Sequence, residues 1–466
     1  MAFHKQLSAD KKALFETMPV PKAIITMAIP TLISQIITLI YNMADTFFIG
    51  RTGDSLMVAG MSVCYTIVVL TTTFTNLFGI GGGNLVSRLN GRGEFENARK
   101  FCSMAFYGGI LASVVYSLVV WAFMDPFLYA LGASDATIEY ARQYLIIVVI
   151  IGTLPSIMSV ILAHLLRNVG YSKQASYGLS GGALLNIALD PLFMFVIFPR
   201  GQEVIGAALA TLISNLLSFL FLLWQFIKIS KKATLSASFS WLRKMSGADA
   251  FLLLKTGFPS ALLICLYDVS NMFLFGLTAP YGDSAVAAIG IEIKIERIPN
   301  SLGIGLSQSL SPLVAYNLGS GNFDRMKNFV KTGRLYGIIM TLFCIALYQV
   351  FATPLSGFFM STSRGDVEGS MVTIAIAALL LRYRCCASPF MFLNYLSSYC
   401  LQAMGAVKLA IIHIIIRIVV LSIPVMYLFN CLWGLDGLGL ALPVAEGVSC
   451  IVATIFLQRK INSITK

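Results

Sequence analysis

Long apolar runs are the feature that most constrains how this 466-residue chain folds. Most of them reach the roughly 18–20 residues that a helix needs to cross a bilayer, and they carry almost no charge. Inside lipid every backbone N–H and C=O must be paired within the protein, so such runs cross as α-helices. Twelve spans are predicted, at 22–50, 56–86, 101–124, 137–166, 173–198, 205–228, 251–279, 284–313, 327–352, 368–402, 407–430 and 437–458. The predicted fold class is therefore an all-α membrane protein with twelve transmembrane helices.

The composition favours the same class. The chain is 57% hydrophobic and 12% charged, with a mean hydropathy of +0.82. A soluble protein carries about twice that charged fraction. Residues 1–21 are polar and basic rather than apolar, so no signal peptide is expected.

The net charge of +12 predicts orientation rather than a nucleic-acid partner. Of the 33 Lys and Arg residues, 24 fall in the two terminal segments and in every second loop. The opposite loops hold four, at Arg51, Arg142, Arg200 and Arg364. By the positive-inside rule, both termini are cytoplasmic. The expected location is the cytoplasmic membrane, with the lipid bilayer and not nucleic acid as the surrounding partner.

The chain repeats itself with an offset of about 229 residues. Gly53-Asp54-Ser55 recurs as Gly282-Asp283-Ser284, and Gly91-x-Gly93 recurs as Gly319-x-Gly321. Further pairs follow in the same order, namely Pro30 with Pro259, Asn42 with Asn271, and Gly170 with Gly405. Ordered recurrence of this kind predicts two duplicated halves. Because six spans per half is an even number, the halves enter from the same side and are related by an axis along the membrane normal.

The duplication predicts a division into two pseudo-symmetric six-helix lobes. The predicted parts are a cytoplasmic N-terminal segment at 1–21, an N-lobe at 22–228, a linker at 229–250, a C-lobe at 251–458 and a cytoplasmic tail at 459–466. The linker is basic and polar, with Trp241 suited to the membrane interface, and a helical cytoplasmic link is expected there. A duplicated bundle with a cavity near the membrane midplane is the architecture that alternating access requires. The chain is therefore predicted to be a transporter.

Two carboxylates, Asp45 and Asp190, interrupt apolar runs of the N-lobe. A charge at membrane depth costs about 2.5–3.5 kcal/mol or more and is a functional candidate by default. Tyr41 lies one helical turn before Asp45, and Asn186 lies one turn before Asp190. Thr211 opens the sixth span, and counting along the spans places it with both carboxylates in the outer half of the membrane. These side chains form the candidate cation or proton site.

The chemistry of this set leaves Na⁺ and H⁺ both open. Carboxylate, amide and hydroxyl oxygens are the ligands that hard cations prefer, so Na⁺ fits at Asp45, Asn186, Asp190 and Thr211. Two carboxylates that lie close together away from water cannot both stay ionised easily, so the pair could instead carry a proton. A purely local role, in which the aspartates hydrogen-bond to their neighbours or to interfacial water, is the alternative.

The second half departs from this pattern. At the repeat offset Asp45 corresponds to Leu274, and Pro424 lies near the equivalent of Asp190. The C-lobe instead carries charges at Asp268, Glu292, Lys294, Glu296, Arg297, Arg382 and Arg384, and a further carboxylate at Glu446. Structural ion pairing explains such a set as well as a role in coupling or substrate contact does. The candidates for that role are Asp268, Glu292, Lys294, Glu296, Arg382 and Glu446.

Several motifs together resemble the multidrug and toxic compound extrusion (MATE) family over nearly the whole chain. They are Pro30 with the segment 41–50, Ser87-Arg88-x3-Gly91-x-Gly93, Asn186-x3-Asp190-Pro191, the segment 206–211, and Pro389 with the segment 402–405. The resemblance implies a V-shaped fold of two six-helix lobes and cation-coupled drug efflux. It also implies a cation or proton site at Tyr41, Asp45, Asn186, Asp190 and Thr211.

The predicted function is secondary antiport. Amphipathic, mainly cationic organic compounds would leave the cell while Na⁺ or H⁺ enters, with no cofactor and with the protein as a monomer. A flippase for lipid-linked precursors from the same superfamily is one alternative, although such proteins usually have two more spans and a strongly cationic cavity. A dedicated exporter of one metabolite is another. An enzyme is not expected, because the sequence shows no Walker motif, no nucleophile–base set and no metal-ligand spacing among its nine cysteines.

Overall fold

The computed structural model describes residues 7–360 and 367–465. Within these ranges every regular element is helical. Arg364, which the charge pattern assigned to a loop on the outer side, lies outside the described residues. The described residues form two compact units, one of residues 7–261 with 315–322 and the other of residues 262–314 with 323–465.

Unit 1 contains the helices of the first sequence half. They are α1 (Ala9–Glu16), α2 (Val20–Gly50), α3 (Ser55–Gly91), α4 (Phe95–Ala122), α5 (Met124–Ala130), α6 (Ile138–Leu145), α7 (Thr153–Asn168), α8 (Ser172–Leu192) and α9 (Glu203–Ser230). The beginning of α10 (Gly247–Thr278) and the end of α11 (Asp283–Gly319) also belong to it. Helix α3 packs against α4 and α7, and α8 packs between α2 and α9.

Unit 2 contains the rest of α10 and α11 and all later helices. These are α12 (Phe323–Met360), α13 (Val367–Arg384), α14 (Ser388–Ala403), α15 (Val407–Ile415) and α16 (Ile423–Thr465). Helix α12 packs against α13 and α14, and α16 packs against the same two helices. The core of this unit is built of Leu, Ile and Ala side chains, for example Leu274, Ile289 and Ala441.

All twelve predicted spans fall on helices, which confirms the predicted fold class. Nine described helical segments are long and apolar enough to cross a membrane, and the bent pair Ile138–Ile151 and Thr153–Asn168 makes ten. The segment Val407–Ile464 has 58 residues, about twice what one crossing needs, and it is broken at Gly434, where φ is 59°. It therefore supplies two of the predicted spans. Helix α11 supplies the twelfth, although the charges near its middle lower its hydropathy.

Three helical segments have the wider π conformation. They are Ile146–Ile151 after α6, Phe193–Ile197 after α8, and Ile416–Ser422 between α15 and α16. A π segment inserts one extra residue into a helical path and frequently occurs at functional sites. In this protein, the first begins two residues after Tyr144, the second begins three residues after Asp190, and the third contains Arg417 of unit 2.

The glycines of the repeat stand where helices end. Gly93 follows α3 with φ at 76°, and Gly321 follows α11 with φ at 74°. These values lie in the left-handed region, which glycine enters without the steric cost that a Cβ atom adds. The repeated motif is therefore a helix-terminating turn that occurs at the same place in both halves.

A second pair of repeat glycines lets two helix ends cross closely within unit 1. A Cβ atom on Gly91 would collide with the carbonyl oxygen of Tyr316, and one on Gly319 would collide with the carbonyl oxygen of Arg88. Since Gly91 and Gly319 occupy equivalent positions in the repeat, each glycine makes room for the other's helix. The crossing explains why both positions hold glycine.

The linker is less helical than expected. Between the end of α9 at Ser230 and the start of α10 at Gly247, its only described helical element is a short 3₁₀ segment at Phe239–Lys244. The preceding stretch is held against α4 instead, because Ser103 Oγ donates to the carbonyl of Ser236 at 3.0 Å and Tyr107 donates to that of Ala237 at 2.9 Å. Side-chain contacts of this kind satisfy the backbone without a helix, which local composition alone did not indicate.

Candidate functional site

Three neighbouring helices of unit 1 position the residues of the predicted cation site. Helix α2 carries Tyr41 and Asp45, α8 carries Asn186 and Asp190, and α9 carries Thr211. Because α8 packs against both α2 and α9, their polar faces meet. The spacing of four residues within α2 and within α8 places each pair on one face of its helix.

Asn186 connects two of the other members. Its amide is satisfied when the nitrogen donates to Asp190 Oδ2 at 2.9 Å and the oxygen accepts from Thr211, at 3.3 Å from Oγ1 and 3.2 Å from the backbone nitrogen. This orientation follows from the hydrogen-bonding partners, which is how amide orientation is assigned. Asp190, Asn186 and Thr211 are buried, with exposed fractions of 0%, 2% and 5%. The structure therefore brings these three residues into direct contact.

Asp45 and Tyr41 complete the cluster from α2. The Tyr41 hydroxyl lies beside Thr211, and the charge of Asp45 is close enough to act on Asp190. The Oδ1 atom of Asp45 is buried and has no hydrogen-bond partner among the described residues. A buried acceptor without a partner costs about 1–3 kcal/mol or more if charged, so this oxygen is a position where a proton or cation would stabilise the protein.

No basic side chain within residues 7–360 and 367–465 forms an ion pair with Asp45 or Asp190. The same described part holds no cluster of three or more His, Cys, Asp or Glu side chains that could bind a metal ion. The oxygen set that could hold Na⁺ is instead mixed, with two carboxylates, an amide oxygen and a hydroxyl. Its chemistry suits a hard monovalent cation or a proton.

Tyr144 is a member that the sequence reasoning missed. It stands at the end of α6, is 8% exposed, and lies within electrostatic range of Asp45, Tyr41 and Asp190. It lies two residues before the π segment Ile146–Ile151. No sequence motif predicted that Tyr144 belongs to the site. A tyrosine in an apolar run is usually core, so composition gave no reason to single it out.

The charges of unit 2 are organised differently, around Arg384. Its Nη2 atom lies 2.8 Å from Glu296 Oε2, and its Nε atom lies 2.7 Å from Glu292 Oε2. The Nη2 contact is an aligned hydrogen bond, whereas the Nε contact is an ion pair without hydrogen-bond alignment. All three side chains are at most 3% exposed. Glu292 and Glu296 thus share one buried guanidinium.

The other predicted charges of unit 2 do not join this cluster. Arg382 and Lys294 have exposed side chains, and Asp268 is half-buried near Arg297. Arg382 and Arg384 are two residues apart on one helix, so they point in different directions. The buried arginine is therefore Arg384, although the sequence reasoning placed Arg382 in the candidate set.

Glu446 lies in a separate buried network with Arg417, which the sequence reasoning did not single out. Arg417 Nε is 2.9 Å from Glu446 Oε1 and 3.0 Å from Oε2, and Asn394 Nδ2 donates to Oε2 at 2.7 Å. His413 extends the network, with Nε2 3.1 Å from Asn394 Oδ1. One indication of this pair was available in the sequence, because the apolar run 407–430 contains a single arginine and a buried charge needs a partner.

A family profile named MatE matches residues 30–192 and 259–428, one match in each half of the chain. The chain is 30% identical over 445 residues to the Multidrug export protein MepA of Staphylococcus saprophyticus, covering 95% of this chain and 94% of that protein. It is also 30% identical over 444 residues to the protein of the same name from Staphylococcus aureus strain MRSA252, with the same coverage.

Solved structures share the fold at low sequence identity. A crystal structure of a MATE protein in complex with MaL6 superposes with a TM-score of 0.91 at 19% identity, covering 98% of this chain and 99% of that one. An outward-facing multidrug resistance MATE family transporter of the MOP superfamily superposes with a TM-score of 0.90 at 20% identity, covering 99% of both chains. The twelve helices and the match of the MatE profile to both halves together show that this multi-pass membrane protein belongs to the MatE family.

Proposed function

We propose that the protein is a secondary antiporter that exports amphipathic, mainly cationic organic compounds across the cytoplasmic membrane while Na⁺ or H⁺ enters. The observation that carries the proposal is the cluster of Asp45, Asn186, Asp190 and Thr211, in which two carboxylates lie close enough to act on each other and neither forms an ion pair with a basic side chain of the described residues. Two relatives along nearly the whole chain bear the name Multidrug export protein, which supports drugs as the exported class. We further propose that the protein works as a monomer.

The cluster suggests how the ion drives export. With the site vacant of a cation, two buried carboxylates repel each other and Asp45 Oδ1 lacks a partner. Binding of a proton or Na⁺ removes both the repulsion between the carboxylates and the cost of the unpaired oxygen. Its binding therefore favours the conformation in which the two carboxylates are closest together. A ligand shifts a conformational equilibrium only by its difference in affinity for the two states. Coupling follows when the exported compound prefers the opposite state.

The test is efflux from proteoliposomes under separate gradients. Purified protein is reconstituted, and a panel of cationic dyes is followed under an imposed Na⁺ gradient or an imposed pH gradient. We expect one of the two gradients to accelerate dye movement in the wild type. Movement that neither gradient accelerates would contradict antiport, and a gradient effect assigns the coupling ion at the same time.

Two variants and one control assign the coupling to the cluster. Asp45→Asn and Asp190→Asn should each lower gradient-driven efflux at least about tenfold, because an amide cannot take up the proton or supply the charge that the cation needs. The control Asp125→Asn removes an exposed carboxylate of the same unit that pairs with Arg142, and its efflux should match the wild type. Wild-type rates in Asp45→Asn or in Asp190→Asn would exclude that carboxylate from coupling.

A further inference from the structure

The short helix α1 is fastened to the end of α11, although the two lie 300 residues apart in the chain. The Phe15 ring stacks on the Tyr316 ring at a centroid distance of 4.6 Å, and the Tyr316 hydroxyl donates to Glu16 Oε1 at 2.8 Å. Asn317 Nδ2 donates to the carbonyl oxygen of Phe15 at 3.2 Å. Phe15 and Tyr316 are buried, with exposed fractions of 0% and 4%. A ring stack and two hydrogen bonds therefore join the two segments within unit 1.

Helix α1 also rests on the turn between α7 and α8. A Cβ atom on Gly170 would lie 3.3 Å from side-chain atoms of Lys11, Leu14 and Phe15, so α1 packs directly on this turn. Lys11 Nζ lies 4.6 Å from the centre of the Tyr171 ring, which is a cation–π contact. Helix α1 therefore bridges a turn of the first sequence half and a helix end of the second.

The end of α11 that α1 holds is the end that crosses α3. Gly319 lies three residues after Tyr316 and contacts the backbone of Arg88, and Gly91 contacts the backbone of Tyr316 itself. Helix α7, whose following turn supports α1, packs against α3. Separating α11 from α3 at this crossing therefore has to proceed against the contacts that α1 makes with Tyr316.

The repeat places a different contact at the equivalent position of the second half. At the offset of 229 residues α1 corresponds to 238–245, which contains the 3₁₀ segment Phe239–Lys244. That segment packs against α4, with the Phe239 ring 5.7 Å from the Tyr107 ring. Duplication alone therefore does not account for the contacts of α1 with α11.

We propose that α1 is a clasp, in which Phe15 and Glu16 position the end of α11 against α3 and so set how readily the crossing opens. Alternating access requires the cytoplasmic side to open when a compound enters for export. Eight residues are fewer than the roughly 12–15 that a helix needs to be stable in water, so α1 keeps its structure only while it is docked. The proposal goes beyond antiport, because the opening can be measured without an ion gradient or an exported compound.

Hydrogen exchange of the purified full-length protein, followed by mass spectrometry, tests the clasp. Exchange at the crossing, in residues 86–92 and 315–321, reports local opening, and exchange in α6 reports the stability of unit 1 elsewhere. Phe15→Ala removes the stacked ring. We expect it to raise the exchange rates at the crossing about tenfold, equivalent to about 1.4 kcal/mol, and to change those of α6 less than about twofold.

A second variant and a control accompany Phe15→Ala. Tyr316→Phe removes the hydrogen bond to Glu16 but keeps the ring stack. It should raise exchange at the crossing about threefold, so it decides the question if Phe15→Ala does not fold. Asp10→Asn changes an exposed side chain of the same helix and should exchange like the wild type.

The outcomes separate the clasp from a structural role of α1 and from the proposed function. Equal acceleration at the crossing and in α6 would show that α1 stabilises unit 1 as a whole, and unchanged rates at the crossing in both variants would show that α1 does not hold α11. Either result overturns the clasp, and antiport stands if an ion gradient still drives dye efflux. If the variants open the crossing but neither gradient moves dye in the wild type, the clasp stands and the proposed function fails.

Discussion

The two sets of buried carboxylates differ in how their charge is compensated. Glu446 pairs with Arg417, and Glu292 and Glu296 share Arg384, so each of these carboxylates lies against a fixed positive charge of the protein. Asp190 accepts a hydrogen bond from the neutral amide of Asn186, and neither Asp45 nor Asp190 forms an ion pair with a basic side chain among the described residues. A carboxylate with a permanent partner has little reason to exchange ions, whereas one without a partner depends on a mobile cation. This contrast at single residues is why we assign the coupling ion to Asp45 and Asp190.

Replacing Arg384 should destabilise the protein strongly. Arg384→Met leaves Glu292 and Glu296 buried together without a positive charge, and breaking a buried pair in this way costs about 3–5 kcal/mol. Thermal unfolding in detergent, followed by loss of the monodisperse peak on size exclusion, measures the effect. The control Arg382→Met changes an exposed side chain two residues away and should alter stability by less than about 0.5 kcal/mol. Similar unfolding curves for both variants would contradict the buried ion pair.

An ion pair just before the predicted spans 101–124 and 251–279 gives a pH dependence of known sign. Lys100 Nζ lies 2.7 Å from Asp249 Oδ2, and this hydrogen bond lowers the pKa of Asp249 below its ordinary value. Because the pKa is lower in the folded state, the stabilisation is complete above the unfolded-state pKa of about 3.9 and is lost as the pH falls through the folded-state pKa.

The matching measurement compares the wild type with Asp249→Asn across pH. The wild type should be more stable by about 1 kcal/mol near neutral pH, since both side chains are mostly buried. The difference should begin to fall near pH 4 and should vanish only below the folded-state pKa of Asp249. Lys100→Met should reproduce the loss. A difference that persists unchanged into acid would show that the pair contributes packing and not charge.

Single residues also mark the limit of what the sequence could predict. Asp45, Asn186, Asp190 and Thr211 could be grouped because spacing along a helix and depth in the membrane are both readable from a sequence. The partner of Glu446 could not, because Arg417 is 29 residues away and meets it only through helix packing. Sequence motifs and depth in the membrane predict candidate site residues, whereas tertiary contacts determine which of these residues pair.

At the scale of helices, the glycines of the sequence repeat lie at helix ends. Gly91 and Gly319 allow two helix ends of unit 1 to cross with their backbones in contact. Helices that cross this closely leave no room for a side chain, which is why small residues mark such contacts in membrane proteins.

Adding a methyl group at the crossing should therefore destabilise the protein. Gly319→Ala places a Cβ atom against the backbone of Arg88 and should cost about 1–3 kcal/mol through overpacking. Gly290→Ala is the matched control on the same helix, where nothing lies within 4 Å, and it should be neutral or stabilise by about 0.5–1 kcal/mol. Thermal unfolding of the two variants distinguishes them, and equal effects would show that the crossing tolerates a side chain.

The sequence predicted the helices better than their irregularities. Hydropathy averaged over a span locates each crossing, and all twelve spans coincide with helices. The same averaging hides the break between Ile151 and Thr153 and the turn at Gly434. The π segments were also missed, since the apolar residues Ile146–Ile151 fit an α-helix as well as a wider one.

For the whole molecule, duplication of the chain did not duplicate the pair of carboxylates that we propose as the ion site. Leu274, the repeat equivalent of Asp45, is 2% exposed and packs with Ile289 and Met426 in an apolar core. The second half kept the helices and the glycine turns of the repeat but replaced the unpaired carboxylates with arginine-paired ones. We therefore expect ion coupling to depend on the carboxylates of unit 1.

The expectation that ion coupling depends on unit 1 can be tested by measuring how efflux depends on ion concentration. Glu296→Gln removes one of the two carboxylates that share Arg384, and the ion concentration for half-maximal efflux should stay within about twofold of the wild type, because we propose that the coupling ion binds in unit 1. Thr211→Val removes an oxygen of the unit 1 cluster and should raise that concentration severalfold if Na⁺ is the coupling ion. A larger shift in Glu296→Gln than in Thr211→Val would assign coupling to unit 2.

The π segment Phe193–Ile197 begins three residues after Asp190 and has a mechanical consequence. One extra residue in a helix is a defect that can travel, because each backbone hydrogen bond it breaks is replaced by one behind it. A residue that the defect passes turns about the helix axis by about 100°, while the helix on either side keeps its place. Migration of the defect by about one turn would thus swing the Asp190 carboxylate away from Asn186 without displacing either end of α8. Such a movement would change the surroundings of Asp190 and of the few residues that the defect passes, while the rest of α8 stays where it is.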